Sequence, residues 1–124
     1  MAILVDKNSK VMVQGITGGA GSFHAKRMIA YGTNIVCGTS PGKGGQEVEG
    51  KPVYDSVLEC VEQQGVDTSV IFLPARFVRE AAIEAIRAGV KTVVVVPEHI
   101  PIHDMLKVRK EAMRQGATVI GGNT

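Results

Sequence analysis

Five short apolar runs, at residues 11–14, 35–39, 70–73, 93–96 and 118–120, recur along the chain with longer amphipathic segments between them. This alternation restricts the possible folds more than any single motif. The first four runs read as continuous apolar tracts more than as alternation, the pattern of strands covered on both faces, which points to a parallel sheet. A brief run at residues 52–54 is expected to add a strand fragment. Between the runs, apolar residues recur at three- and four-residue spacing: Ala25, Met28 and Ile29; Val57, Cys60 and Val61; Val78, Ala81, Ala82, Ala85 and Ile86; Ile102, Met105, Leu106, Ala112 and Met113. These are predicted to be helical packing faces, with the methionines as core filler. Each segment ends at a glycine (Gly32, Gly65, Gly89, Gly116), and Ser56 with Glu59 fits a capping box. Strand, helix, glycine and strand in repetition give right-handed βαβ units. The predicted fold class is α/β, a Rossmann-like doubly wound parallel sheet forming a single domain over residues 1–124. A chain of 124 residues can bury about two-thirds of its unfolded surface.

Composition excludes several functions. Aromatic residues make up 4% of the chain and Trp is absent, so base stacking is disfavoured. A net charge of +2 with interspersed signs favours a small anionic ligand over a polynucleotide. Cys37 and Cys60 have neither metal-site spacing nor a disulfide framework and are expected to be reduced, buried thiols. Asp6, Lys7, Asn8, Ser9 and Lys10 interrupt any leader-like apolar run, and no stretch reaches the length of a membrane span. A cytoplasmic, reducing compartment is the resulting expectation.

Ligands of such sheets sit beyond the carboxyl ends of the strands. Three loops there carry unusual chemistry, at residues 15–21, 40–45 and 96–101. In the first, Gly15, Gly18 and Gly21 stand between a strand and a helix start, a spacing suited to a phosphate cradle. An NAD site would place an acid about 20 residues on, at the end of the second strand. Here that strand ends Val36-Cys37-Gly38-Thr39-Ser40, with no acid. Pro41-Gly42-Lys43-Gly44-Gly45 follows, a glycine turn around one cation whose bared main chain suits a second phosphate. The spacing from Gly38 to Lys43 is one residue short of a Walker loop, and Gly44 replaces its Ser or Thr. Together the loops suit a nucleotide with an extra ribose phosphate, either coenzyme A or NADP.

The histidines are less informative. Pro101 separates His99 from His103 and argues against a shared helical face, so no metal site is predicted. His24 could help an anion when protonated, or simply pack. Ser22 and Thr17 have no evident base, and no complete catalytic set is assigned.

The segments Gln14-Gly15-Ile16-Thr17-Gly18, Gly21-Ser22-Phe23-His24, Ala30-Tyr31-Gly32-Thr33, Pro41-Gly42-Lys43-Gly44-Gly45, Gly50-Lys51-Pro52-Val53-Tyr54 and Glu98-His99-Ile100-Pro101 occur in one order. In that order the chain resembles, over essentially its whole length, the amino-terminal CoA-binding domain of the succinyl-CoA synthetase α subunit. The resemblance implies that Thr17, Gly18, Gly19 and Ala20 line a CoA site, that Lys43 meets a CoA phosphate, and that Val96, Pro97 and Glu98 flank the ligand. It implies a nucleotide-dependent acid–CoA ligase of the tricarboxylic acid cycle, working through a phosphohistidine and an acyl phosphate. That histidine would lie in a later α-subunit domain, and a β subunit would be the partner. The chain departs from the family pattern at Ala20, usually Gln, and at His99, usually Gly. The family's Gly-Pro-Asn-Cys-Pro-Gly segment is met only as Gly121-Gly122-Asn123-Thr124, which suggests an excised domain or a divergent relative. Two alternatives remain open: an NADP-binding oxidoreductase domain, although Tyr31 and Tyr54 lack a lysine at the offset of a Tyr-x-x-x-Lys pair, and a non-enzymatic nucleotide-sensing module.

Overall fold

The structure is a computed structural model and describes residues 8–121. Asp6 and Lys7 of the opening segment and residues 122–124 of the terminal motif lie outside the described residues. Strands β1 (Val11–Gln14), β2 (Ile35–Thr39), β3 (Glu47–Val48), β4 (Lys51–Tyr54), β5 (Thr68–Ile71), β6 (Thr92–Val95) and β7 (Thr118–Gly121) form one sheet in the order β3-β4-β2-β1-β5-β6-β7. Helices α1 (Gly19–Ala30), α2 (Val57–Gln64), α3 (Ala75–Arg87) and α4 (Ile102–Gln115) alternate with them. The chain is Rossmann-like.

The expectation of an all-parallel sheet needs correction. Pairing is parallel from β4 through β7, but β3 runs antiparallel to β4. The cause is a two-residue turn at Glu49 and Gly50, both at positive φ (51° and 78°), the geometry that closes a hairpin. The sheet is therefore mixed, with an antiparallel strand at one edge.

β1 and β2 coincide with their apolar runs, because Val11, Met12, Val13, Ile35 and Cys37 are buried. β5 begins two residues before the expected run and β6 one residue before. Thr68, Ser69 and Thr92 are polar yet buried, and Ser69 Oγ donates to Gln14 Oε1 at 2.6 Å. A satisfied hydroxyl of this kind sits inside a sheet at little cost.

Side chains alternate between two cores. Met12, Cys37, Ile71, Val93 and Val95 pack with α2, α3 and α4, whereas Val11, Val13, Ile35, Val53 and Val70 pack with Ala25 of α1 and Ile16. The faces expected for α2 and α3 are largely buried as proposed, with Val61 half-buried. The expected face of α4 is only partly right. Met105, Val108 and Ala112 are buried, but Ile102, Leu106 and Met113 are 74%, 57% and 85% exposed. That helix carries two apolar stripes, and only the one toward α3 and β7 is covered. Gly65 and Gly116 close α2 and α4 in the left-handed conformation, and Ser56 Oγ accepts from the Glu59 N–H at 3.3 Å.

Cys37 and Cys60 are both buried, with their sulfurs 2.8 Å apart. The hydrogen bond with Cys37, together with burial, pushes the Cys60 thiol well above its ordinary value, which keeps it protonated and unreactive.

Glu111 of α4 is also buried and ties the helices together. It accepts from Arg87 Nε (3.2 Å), Arg114 Nη1 (2.9 Å) and Gln115 Nε2 (3.1 Å). The hydrogen bonds from Gln115 and Arg87 hold its carboxyl below the usual carboxylate value of 4.5. A carboxylate depressed in the folded state stabilises the fold above its unfolded pKa and loses that contribution as pH falls through the folded pKa. Thermal melts of wild type and Glu111→Gln should therefore show a Tm advantage for wild type that is constant above about pH 5 and shrinks on further acidification. A pH-independent difference would assign the effect to packing alone.

Candidate functional site

The registers Gln14↔Thr39, Gln14↔Ile71 and Ile71↔Val95 bring the carboxyl ends of β2, β1, β5 and β6 level. The loops at residues 15–21, 40–45 and 96–101 therefore leave the same edge of the sheet. β1 stands where the strand order reverses, since the chain passes from β1 to β2 on one side and later to β5 on the other.

Gly15 turns away from β1 at φ 89°, with its N–H on the Thr39 carbonyl at 2.9 Å. A Cβ there would fall 2.6 Å from the Phe72 carbonyl oxygen. At Gly21 a Cβ would run into the Gly15 carbonyl, so α1 lies directly against the turn. The Gly18 N–H bonds to the Gly15 carbonyl at 3.1 Å, and the Ser22 N–H to the Gly18 carbonyl at 2.9 Å. The N–H groups of Gly19, Ala20 and Gly21 have no backbone acceptor among the described residues. The N-cap residue Gly18 provides no side-chain cap, and no acid stands in the first turn. Three donors and an uncompensated helix dipole thus point to an anion. Gly18, Gly19 and Ala20 are exposed and Thr17 is half-buried. The four expected residues of this loop sit together.

Thr17 Oγ1 and Ser40 Oγ are 2.7 Å apart and join the first loop to the second. The second loop differs from its expected form. The N–H groups of Gly42 and Gly44 both donate to Asp55 Oδ1 at 2.9 Å, and the Lys43 N–H donates to the Ser40 carbonyl at 2.9 Å. Its main chain is therefore taken up internally and does not offer a second phosphate nest. The exposed Lys43 side chain forms no ion pair among the described residues.

Val96 and Glu98 are exposed and Pro97 is half-buried at the tip of β6. This loop is three strand spacings from the Lys43 loop, about 14 Å, so one ligand touching both must be extended. His99 lies in the left-handed region at φ 64°. That is the physical reason a glycine suits this position in the resembled family. His103 is in the first turn of α4, after the N-cap Pro101, so the two histidines share no helical face. Among the described residues no group of three His, Cys, Asp or Glu side chains could hold a metal ion.

His24 is exposed but has an aromatic partner. Its ring stacks on Phe72 with centroids 4.9 Å apart and an interplanar angle of 4°. It stands in the second turn of α1.

Sequence reasoning missed a cleft of about 320 Å³ beside the first two loops. Its walls include Gln14, Gly15, Pro41, Asp55, Leu73 and Phe77. Phe77, one of the chain's few aromatic residues, is 44% exposed on that wall.

An α/β sheet with three open N–H groups at its switch point places the chain in the Rossmann-like class, whose ligands sit at that point. The chain belongs to the CoA-binding domain family, whose model matches residues 6–99, and is related to the succinate–CoA ligase α subunits. It is 54% identical over 123 residues to succinate–CoA ligase [ADP-forming] subunit alpha 2 of Archaeoglobus fulgidus, covering 99% of this chain and 43% of that protein. It is 45% identical over 124 residues to a subunit of the ADP-forming sulfoacetate–CoA ligase of an Acholeplasma species, covering 100% and 42%. The chain thus spans less than half the length of these relatives. Among solved structures, it is similar to the ATP citrate lyase of Methanothrix soehngenii in complex with citrate and coenzyme A. There the TM-score is 0.81 at 23% identity, over 98% of this chain and 22% of that one. No helix among the described residues is long and apolar enough to cross a membrane.

Proposed function

We propose that this chain is the CoA-binding domain, over residues 1–124, of a nucleotide-dependent acid–CoA ligase of the succinyl-CoA synthetase type. The observation that carries the reading is the joining of two features by Thr17 and Ser40: the three open N–H groups at the start of α1 and the loop bearing Lys43. Thr17, Gly18, Gly19 and Ala20 would hold the diphosphate of coenzyme A, with no glutamine side chain at Ala20 to add a bond. Lys43 would meet the ribose phosphate. Val96 and Pro97 give an apolar strand tip for the pantetheine arm, with Glu98 beside it. In this reading the sheet is doubly wound, with α1 on one face and α2, α3 and α4 on the other.

Coenzyme A supplies the acceptor thiol for thioester formation from an acyl phosphate. The chain's residues bind and orient that ligand, and the phosphohistidine would lie in a later domain, as the resemblance to the family implies; within this chain the His24 ring stacks on Phe72. The full enzyme would need the remaining α-subunit domain and a β subunit, would be ADP- or GDP-forming, and would serve the tricarboxylic acid cycle in the cytoplasm. The family match and the ADP-forming ligases among the relatives support this reading.

Titration calorimetry on Lys43→Ala tests the phosphate assignment. CoA affinity should fall about tenfold while that for dephospho-CoA changes less than about twofold. Equal losses for both ligands would remove Lys43 from the ribose phosphate.

A further inference from the structure

We propose that Asp55 is the positioning residue for Lys43, and that it sets how strongly the site prefers CoA to dephospho-CoA. The inference rests on the reading in which Lys43 meets the ribose phosphate. The hydrogen bond from the Ser40 N–H to the Tyr54 carbonyl, at 3.1 Å, brings the end of β4 alongside the turn that carries Lys43. Asp55 is the next residue. Its Oδ1 accepts from the N–H groups on both sides of Lys43, those of Gly42 and Gly44, each at 2.9 Å.

The carboxylate also fills the space that a side chain at residue 44 would need. A Cβ on Gly44 would lie 2.7 Å from Asp55 Oδ2 and 2.8 Å from its Cγ. Gly42 and Gly45 have φ values of 81° and 93°, so three glycines surround one lysine in a segment with little local preference of its own. Two bonds to a single oxygen replace that missing preference. They hold the loop before a ligand arrives and reduce the ordering cost that Lys43 would otherwise incur on binding.

The same bonds make the lysine the loop's only phosphate contact. With the Gly42 and Gly44 donors occupied and the Lys43 N–H on Ser40, an incoming phosphate meets the side chain alone. Ser56, not Asp55, caps α2, and Asp55 forms no ion pair among the described residues.

Calorimetric dissociation constants for CoA and dephospho-CoA would be measured with wild type, Asp55→Ala, Asp55→Asn, Gly44→Ala, Lys43→Ala and the double variant Lys43→Ala/Asp55→Ala. Asp55→Ala should weaken CoA binding about tenfold and leave dephospho-CoA within about twofold. Gly44→Ala, which displaces the carboxylate without removing it, should do the same. Asp55→Asn keeps an acceptor oxygen and should retain the wild-type preference. On the Lys43→Ala background, removal of the carboxylate should cost nothing further. A wild-type preference preserved in Asp55→Ala or Gly44→Ala, or an equal loss without Lys43, would overturn the proposal. If wild type itself binds both ligands equally, the reading of Lys43 fails, and this inference fails with it.

Discussion

Gly18→Asp is expected to fold at least as stably as wild type and to lose CoA binding by more than about 100-fold. The two effects have one cause. Gly18 is the N-cap of α1 with extended backbone (φ −71°, ψ 161°), and a Cβ there meets only the Gly15 carbonyl oxygen, at 3.5 Å. An aspartate fits that position, and its carboxylate can accept from the open N–H groups of the first turn, which contributes a few tenths to about 1 kcal/mol. Those donors are the ones assigned to the CoA diphosphate. The substitution therefore installs an internal anion where the ligand's anion belongs. Melting and calorimetry on the same sample separate the two readouts. A folded variant with affinity within tenfold of wild type would remove the α1 start from the site.

Gly21→Ala should instead damage the fold itself. Its added methyl would collide with the Gly15 carbonyl, and the neighbouring atoms are also backbone, the Gly15 carbonyl carbon at 2.9 Å and the Ile16 Cα at 3.1 Å. No side chain can swing aside, so α1 must lift from the turn. A cost of roughly 3 kcal/mol is expected, seen as a Tm drop on the order of 10 °C. Gly19→Ala is the matched control. Nothing lies within 4 Å of a Cβ there, and an alanine in the first helical turn should be neutral or slightly stabilising. Similar melting temperatures for the two variants would contradict the close approach of α1 to the first loop.

Much of this organisation was legible in the sequence because it is local. The run at residues 11–14 matches β1, since a strand buried on both faces is mostly apolar and its one polar residue, Gln14, is paired with Ser69. The glycine turn before α1 is legible for the same reason, its three glycines lying within seven consecutive residues. What escaped depends on distant neighbours. Thr68 and Ser69 look like turn residues until Gln14 is seen to satisfy Ser69 across the sheet. The two-residue β3 has no periodicity to detect. The apolar stripes of α4 could not be ranked, because only its packing partners decide which is covered. Asp55 is the most instructive omission. Its partners lie thirteen and eleven residues upstream, and beside Ser56 it reads as an ordinary helix-start residue. The glycine turn around Lys43 is visible in the sequence, but the carboxylate that occupies its main chain is not. A departure from family pattern was legible at His99, yet only its φ of 64° supplies the reason.

Parallel calorimetric titration of the wild-type chain with CoA, dephospho-CoA, NADP and NAD tests the assignment most directly. The expected result is binding of CoA, weaker binding of dephospho-CoA, and no detectable binding of NADP or NAD at the same concentrations. Tight binding of NADP with none of CoA would contradict it.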